Sequence, residues 1–298
     1  MKALGRLLRL SLSPTAAADI AAGVVAGAGG WIGGSAPFLL ILASLCVYHG
    51  GMVLNDWRDR EEDRRVRSDR PIPSGRIPAG AALILGLALL AAGPVIALRV
   101  SPSCGAAIGA VALAALLYDL ALRGAWLGPL LLAFCRGANL AAGLLLGSGG
   151  SLGILILLPP LLYAAYVFTV SRLARLEDAD RNEQQRASPS WLLGVAAVLL
   201  LLAPCAALLH PLESLARPCA ALLLAAAGAL GLIRAAHRPG IWSSEDLTRA
   251  TGFALRRLLV FTAAVALSAG GTASWIVAGA ILCGYPVSFA LRGVFPPS

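Results

Sequence analysis

The chain has 298 residues, 58% of them apolar and only 13% charged, with a formal net charge of +9 and a mean hydropathy of +0.81. An ordinary water-soluble domain carries about a quarter charged residues, so this composition excludes one. The excess of positive charge then reads as a topology and anionic-lipid signal, with no call for nucleic acid.

A membrane-spanning helix needs about 20 apolar residues. Ten segments qualify, at about 15–34, 37–54, 79–99, 102–119, 126–147, 152–173, 191–209, 213–233, 253–270 and 272–292. The runs are continuous rather than alternating, which predicts helices and not barrel strands. No linker is long enough to separate a soluble domain, so residues 1–298 are expected to form one unit. Ahead of the first span, Lys2, Arg6 and Arg9 read as an amphipathic lead-in on the membrane surface, or equally as a loose basic tail. The apolar run after Pro14 is too long for a cleaved signal.

Between the second and third spans lies NDWRDREEDRRVRSDRPIPSGR, Asn55 to Arg76. At 3.6 residues per turn, Asp56, Asp59 and Asp63 fall within roughly 60° on one helical face. Three carboxylates so placed repel one another unless a cation sits among them, and Mg²⁺ prefers oxygen ligands shared with a phosphate. Asn55 adds a neutral oxygen. Arg64, Arg65, Arg67, Arg70 and Arg76 supply the donors that a diphosphate takes up. The plainer alternative is a solvated loop whose arginines only orient the protein.

Further along, Tyr118 and Arg123 close the fourth span. Arg136 and Asn139 stand three residues apart inside the fifth, on one face. A charge at that depth usually faces a cavity, so they read as the polar wall of a pocket, or else as a snorkelling charge or a structural pair with Asp19. The sixth span ends in TVSRLARLEDADRNEQQR, where Glu177 and Asp180 share a face beside Arg172 and Arg175. In the loop 234–257, Ser243 to Asp246 has the composition of a helix cap, which predicts a short interfacial helix with Trp242 at headgroup depth. The six cysteines and three histidines are scattered singly, which argues against zinc or haem. With the N-terminus inside, 21 of the 24 basic residues fall inside and two outside. That asymmetry sets both the segmentation and the orientation.

Asn55-Asp56-x-x-Asp59-x-x-x-Asp63 followed by Arg70-Pro71-x-Pro73-Ser74-Gly75-Arg76 resembles the first signature of the UbiA superfamily of membrane prenyltransferases. The run LYDLALRGAWLGPLLLAFCRGANL resembles the UbiA-like proteins of bacterial Ebo operons. The resemblance implies an all-α integral membrane fold, nine to ten transmembrane helices around a central cavity. It implies a Mg²⁺-dependent transfer from an isoprenyl diphosphate to a small aromatic or lipophilic acceptor. Asp56, Asp59, Asp63, Arg67 and Arg76 would be catalytic. Asn55, Asp56, Asp59 and Asp63 would hold metal together with Glu177, Asp178 and Asp180 of a second acidic motif. Asn55, Arg70, Tyr118, Arg123, Arg136, Asn139, Arg172 and Arg175 would bind substrate. The expected location is a bacterial inner membrane, in contact with its lipids, both acidic motifs facing the cytoplasm.

One departure stands out, because Ala174 occupies the place where the second motif often opens with an aspartate. It keeps a second expectation open, a UbiA-like protein that binds or moves a lipid-linked precursor without turnover. CDP-alcohol phosphotransfer, which also clusters aspartates at a membrane helix end, requires D-G-x-x-A-R, and Trp57-Arg58-Asp59-Arg60 does not supply it.

Overall fold

The computed structural model describes residues 2–151, 153–177, 188–211, 214–238 and 242–295, and the regular elements among them are all helical. In chain order they are α1 (Lys2–Leu7), α2 (Ser13–Ala28), α3 (Ala36–Arg58), α4 (Arg60–Val66), α5 (Ala79–Leu98), α6 (Pro102–Leu120) and α7 (Leu127–Gly147). There follow α8 (Leu158–Arg175), α9 (Pro189–Leu201), α10 (Ala216–Ala236), α11 (Ser244–Ser268), α12 (Ala273–Leu282) and α13 (Gly284–Val294). Ten stretches among the described residues are long and apolar enough to cross a membrane. The protein is therefore a multi-pass integral membrane protein.

Several ends differ from expectation for local reasons. The first span stops at Ala28 because Gly29 takes a left-handed conformation, φ 68°, open to glycine without strain. The ninth begins at Ser244 instead of 253. A capping box, with Ser243 Oγ accepting from the Asp246 amide at 3.2 Å and Asp246 Oδ2 from the Ser243 amide at 3.1 Å, starts one helix that runs straight into the membrane. Among the described residues no separate interfacial helix stands there, and Trp242 packs against the main apolar core.

Glycines set the helix spacing. A Cβ on Gly23 of α2 would stand 2.3 Å from the Leu140 carbonyl oxygen, and one on Gly147 of α7 would stand 2.3 Å from that of Val24. Backbones that close leave no room for a side chain, and lipid cannot intervene. α3 and α5 meet in the same way, Gly50 against the Gly86 carbonyl and Gly93 against that of Ala43.

The locked α2–α7 pair stands between two apolar cores. Ala18, Ala22 and Val25 of α2 face a large cluster built with α8 to α12. Ile20 and Val24, from the other side of the same helix, face a cluster built with α3, α5 and α6. Between the halves opens a cavity of about 720 Å³, walled by parts of α2, α3, α6, α7, α8, α11 and α13.

Candidate active site

The cavity mouth is built where α3 ends. Helix α3 stops at Arg58, and Asp59 takes φ −84° and ψ 0° before α4 begins. The Arg60 guanidinium donates to the Trp57 carbonyl at 2.8 Å and stacks 4.6 Å over the Trp57 ring. The three aspartates thus sit on a helix, at a bend and on a second short helix, rather than on one continuous face.

Each is held by an arginine. Asp56 is 2% exposed, and its Oδ1 accepts from Arg9 Nη2 at 2.8 Å. Arg70, itself buried, donates to Asp63 Oδ2 at 2.6 Å and lies 3.5 Å from Asp56 Oδ1. Asp59 pairs with Arg123. Asp119, 3% exposed, accepts from Arg123 Nη2 at 3.2 Å and from Asn55 Nδ2 at 3.4 Å. Arg67 and Arg76 are exposed, Arg76 bound to Ser74 Oγ at 2.9 Å and to the Asp69 carbonyl.

Sequence reasoning missed two of these groups. Arg9, read as part of a surface lead-in, reaches Asp56 because α1 packs inward. Leu7 is fully buried with Val53, Ile72 and Ala82, and the Leu8 carbonyl meets His49 Nδ1 at 2.7 Å. Arg6 pairs with Asp69 at 2.8 Å, and that hydrogen bond holds the Asp69 carboxyl below the usual carboxylate range. Asp119 had a signal available, a lone carboxylate at the end of an apolar helix beside Tyr118, the same cue that marks Asp56.

The loop between α6 and α7 is fastened from α8. Arg172 donates to the Ala125 carbonyl and stacks 4.1 Å over Trp126, and Arg175 donates to the Arg123 carbonyl. Tyr118 lies under the Arg123 guanidinium at 5.3 Å. The second basic cluster therefore positions the arginine that meets Asp59. Glu177 turns toward α11, its Oε2 accepting from Thr248 Oγ1 at 3.1 Å. Asp178 and Asp180 lie outside the described residues.

Deeper in the cavity wall, Arg136 and Asn139 meet Asp19, the structural pairing that the sequence left open. Arg136 Nη2 donates to Asp19 Oδ1 at 3.0 Å, Asn139 Nδ2 to Asp19 Oδ2 at 3.1 Å, and Tyr163 Oη to Asp19 Oδ1 at 2.7 Å. Arg136 and Asn139 also line the cavity.

The mouth's donors fit a hard divalent cation in kind, since Asn55, Asp56, Asp59, Asp63 and Asp119 offer only oxygen as metal ligand. Asp56 Oδ2 is buried with no hydrogen-bond partner, an atom ready to ligate. Among the described residues, no three acidic groups converge as a metal set. A guanidinium is bound to each of Asp56, Asp59 and Asp63.

Fold and site together define a polytopic helical protein with a carboxylate–arginine mouth over an intramembrane cavity. The chain belongs to the UbiA prenyltransferase family, whose profile matches residues 12–256. It is 33% identical over 133 residues to digeranylgeranylglyceryl phosphate synthase of Ignicoccus hospitalis, covering 44% of each chain. To the bacteriochlorophyll synthase 33 kDa chain of Cereibacter sphaeroides it is 33% identical over 174 residues, covering 54% of this chain and 57% of that one. A third match, to the digeranylgeranylglyceryl phosphate synthase of Methanothrix thermoacetophila, is 50% identical over 68 residues, 23% of this chain and 26% of the relative. The chain thus spans from about a quarter to just over half the length of these relatives. A UbiA homolog from Archaeoglobus fulgidus shares the fold, with TM-score 0.66, 18% identity and coverage of 96% of this chain and 99% of that one. The same homolog bound to GPP and Mg²⁺ matches with TM-score 0.62 at 17% identity, covering 88% and 99%.

Proposed function

We propose that the protein transfers an isoprenyl group from an isoprenyl diphosphate to a lipophilic or aromatic acceptor, with Mg²⁺. The observation that carries this reading is the convergence of Arg9, Asp56, Asp59, Asp63, Asp119 and Arg123, from three distant stretches, at the mouth of a cavity of about 720 Å³. The synthases among its relatives and the homolog carrying GPP and Mg²⁺ support it.

Asn55, Asp56, Asp59 and Asp63 would hold the metal, together with Glu177, Asp178 and Asp180 of the second acidic motif. Bound there, it would draw charge from the diphosphate as the allylic C–O bond breaks. Arg123, Arg67 and Arg76 neutralise the charge that grows on the leaving diphosphate. Tyr118 orients Arg123 from below. Arg172 and Arg175 hold its loop, and Arg70 fixes Asp56 relative to Asp63. The diphosphate departs with the bonding electron pair, the acceptor atom bonds to the allylic carbon, and the acceptor gives up a proton. Apolar walls keep water from that cationic carbon. Arg136 and Asn139 face the acceptor. The charge asymmetry supports an orientation with this mouth toward the cytoplasm, and the Ebo-like run supports a bacterial inner membrane.

Asp56→Ala or Asp59→Ala is expected to abolish Mg²⁺-dependent diphosphate release while the chain still inserts and folds. Wild-type turnover by either variant at saturating donor would refute the mechanism. One observation favours a second reading, a prenyl-lipid binding protein without turnover: an arginine already sits on each carboxylate of the first motif. Donor binding with no diphosphate released, at any Mg²⁺ concentration, would establish that reading instead.

A further inference from the structure

The cavity wall carries charge that its own residues do not balance. Among the described residues, four charged side chains line it: Asp119, Arg136, Arg256 and Arg292. Asp119 pairs with Arg123 at 3.2 Å, and Arg136 pairs with Asp19 at 3.0 Å. Arg256 of α11 and Arg292 of α13 pair with no carboxylate among the described residues. Tyr285 Oη donates to the Arg256 carbonyl, which sets α13 against α11. The Arg256 guanidinium reaches back along α11 toward Gly252, where a Cβ would stand 3.8 Å from Nη1 and meet nothing else within 4 Å. Gly252 lies four residues before Arg256, about 6 Å along the axis. Arg292 stands about two turns beyond Tyr285 on the same face of α13, and its side chain tilts back toward the start of that helix. Consecutive spans run in opposite senses, so the two guanidiniums approach one level, and Arg256 feels the Arg292 charge. Arg256 is exposed and Arg292 half-buried, so a ligand in the cavity can reach both.

We propose that Arg256 and Arg292 form a subsite for a phosphate monoester, the head group of an amphipathic acceptor whose chain lies in the cavity. The proposal rests on the reading that the cavity takes an acceptor. Two neighbouring guanidiniums repel each other until an anion lies between them. A phosphate monoester carries a charge of about −1.5 to −2 near pH 7, which matches the pair, and offers three acceptor oxygens. Those oxygens suit the forked donors of two arginines. A carboxylate brings one charge and leaves the other guanidinium uncompensated, and an alcohol leaves both. Ser288, one turn before Arg292, brings a hydroxyl donor to the same wall. The lining by Val111, Ala115, Leu132, Leu255 and Leu258 suits an apolar chain. Arg292 lies beyond residues 12–256, the part of the chain that the family profile matches, so half of the pair stands outside the shared sequence pattern.

The test uses the purified full chain in nanodiscs of zwitterionic lipid and three radiolabelled probes, dodecyl phosphate, dodecanoate and dodecanol, with empty nanodiscs subtracted. Wild type is expected to bind the phosphate roughly tenfold tighter or more than either other probe, the worth of one further charge-assisted contact. Arg256→Gln and Arg292→Gln should each lose that advantage and leave dodecanol binding unchanged. Ala115→Trp, which fills the cavity from α6, should weaken all three probes. Dodecanoate or dodecanol binding as tightly as the phosphate overturns the proposal, and so does a phosphate preference that survives either arginine substitution. Phosphate binding untouched by Ala115→Trp would place the head group on the lipid-facing surface and overturn it too. A second arm replaces about a fifth of the lipid with phosphatidic acid or, as a charge control, phosphatidylglycerol. Both should act alike on the probe; displacement by phosphatidic acid alone would show a bilayer head group at the pair instead of an acceptor. If Ala115→Trp fails to fold, this arm decides the source. Binding of geranyl thiodiphosphate with Mg²⁺ is measured on the same samples. Arg123→Gln should weaken it, and Arg256→Gln and Arg292→Gln should not; a loss in either of those two would assign the pair to the donor and overturn the proposal. If wild type does not bind the thiodiphosphate, the prenyl-transfer reading falls. If it binds and the three probes are not discriminated, only the subsite falls.

Discussion

Asp56 shows how single residues share a scarce position. Its carboxylate is buried, one oxygen faces Arg9 and the other faces nothing. A metal ion and the Arg9 guanidinium compete for the same negative charge, since two cations on one carboxylate repel. Arg9 also sits in the left-handed region at φ 49°, which costs a non-glycine residue about 1–2 kcal/mol. Arg9→Ala is therefore expected to act in two directions. Without metal, stability falls by about 1–3 kcal/mol, because a buried acceptor loses its charged donor. With metal, half-saturation moves to lower Mg²⁺, because the competing cation is gone. Thermal unfolding at graded Mg²⁺ reads both, and a variant that stays weaker than wild type at every Mg²⁺ concentration would show Arg9 to be purely structural.

At the scale of elements, the α2–α7 contact is the least forgiving. Gly23→Ala places a methyl group 2.3 Å from a carbonyl oxygen of the opposing helix backbone, and no rotamer relieves that. The helices must separate, at a cost of about 3 kcal/mol or more, the upper range for overpacking. Gly80→Ala in α5 meets nothing within 4 Å and should leave stability unchanged or raise it by up to about 1 kcal/mol through helix propensity. Heating the two variants side by side in detergent and following monodispersity separates them; equal behaviour would mean the helix contact is looser than described. The start of α11 offers a milder case. Ser243→Ala removes the cap and should cost about 1 kcal/mol, seen as faster hydrogen exchange over Ser244–Thr251. Thr248 and Ser244 also contact Glu177, so that change should extend to the end of α8.

Over the whole molecule, the ends of α3, α6 and α8 and the start of α11 gather on one side, tied by Asp59–Arg123, Arg175 to the Arg123 carbonyl, and Thr248 to Glu177. The opposite side joins Gly29 to Gly271 and His210 to the Ala26 carbonyl. Both sets agree with the alternation that the basic residues imply. A reporter fused after Arg67 should be cytoplasmic, and one inserted in Gly147–Ser151 should lie on the other face. An external signal from the Arg67 fusion would overturn the orientation.

The ten spans, their alternation and the acidic motif at Asn55–Asp63 were legible in the sequence, because each is a local property: hydrophobic length, basic residues near helix ends, carboxylate spacing. The cap at Ser243 was equally legible, though its helix runs on into the span, since nothing local says where a helix continues. What only tertiary structure decided is who neutralises whom. Arg9 meets Asp56 across 47 residues, Arg123 meets Asp59 across 64, and Arg136 meets Asp19 across 117. Those pairings have no period and no spacing rule. They follow from glycine-set helix distances and from an N-terminal segment that packs inward, and in a membrane interior a charge must find whichever partner the packed helices bring within reach.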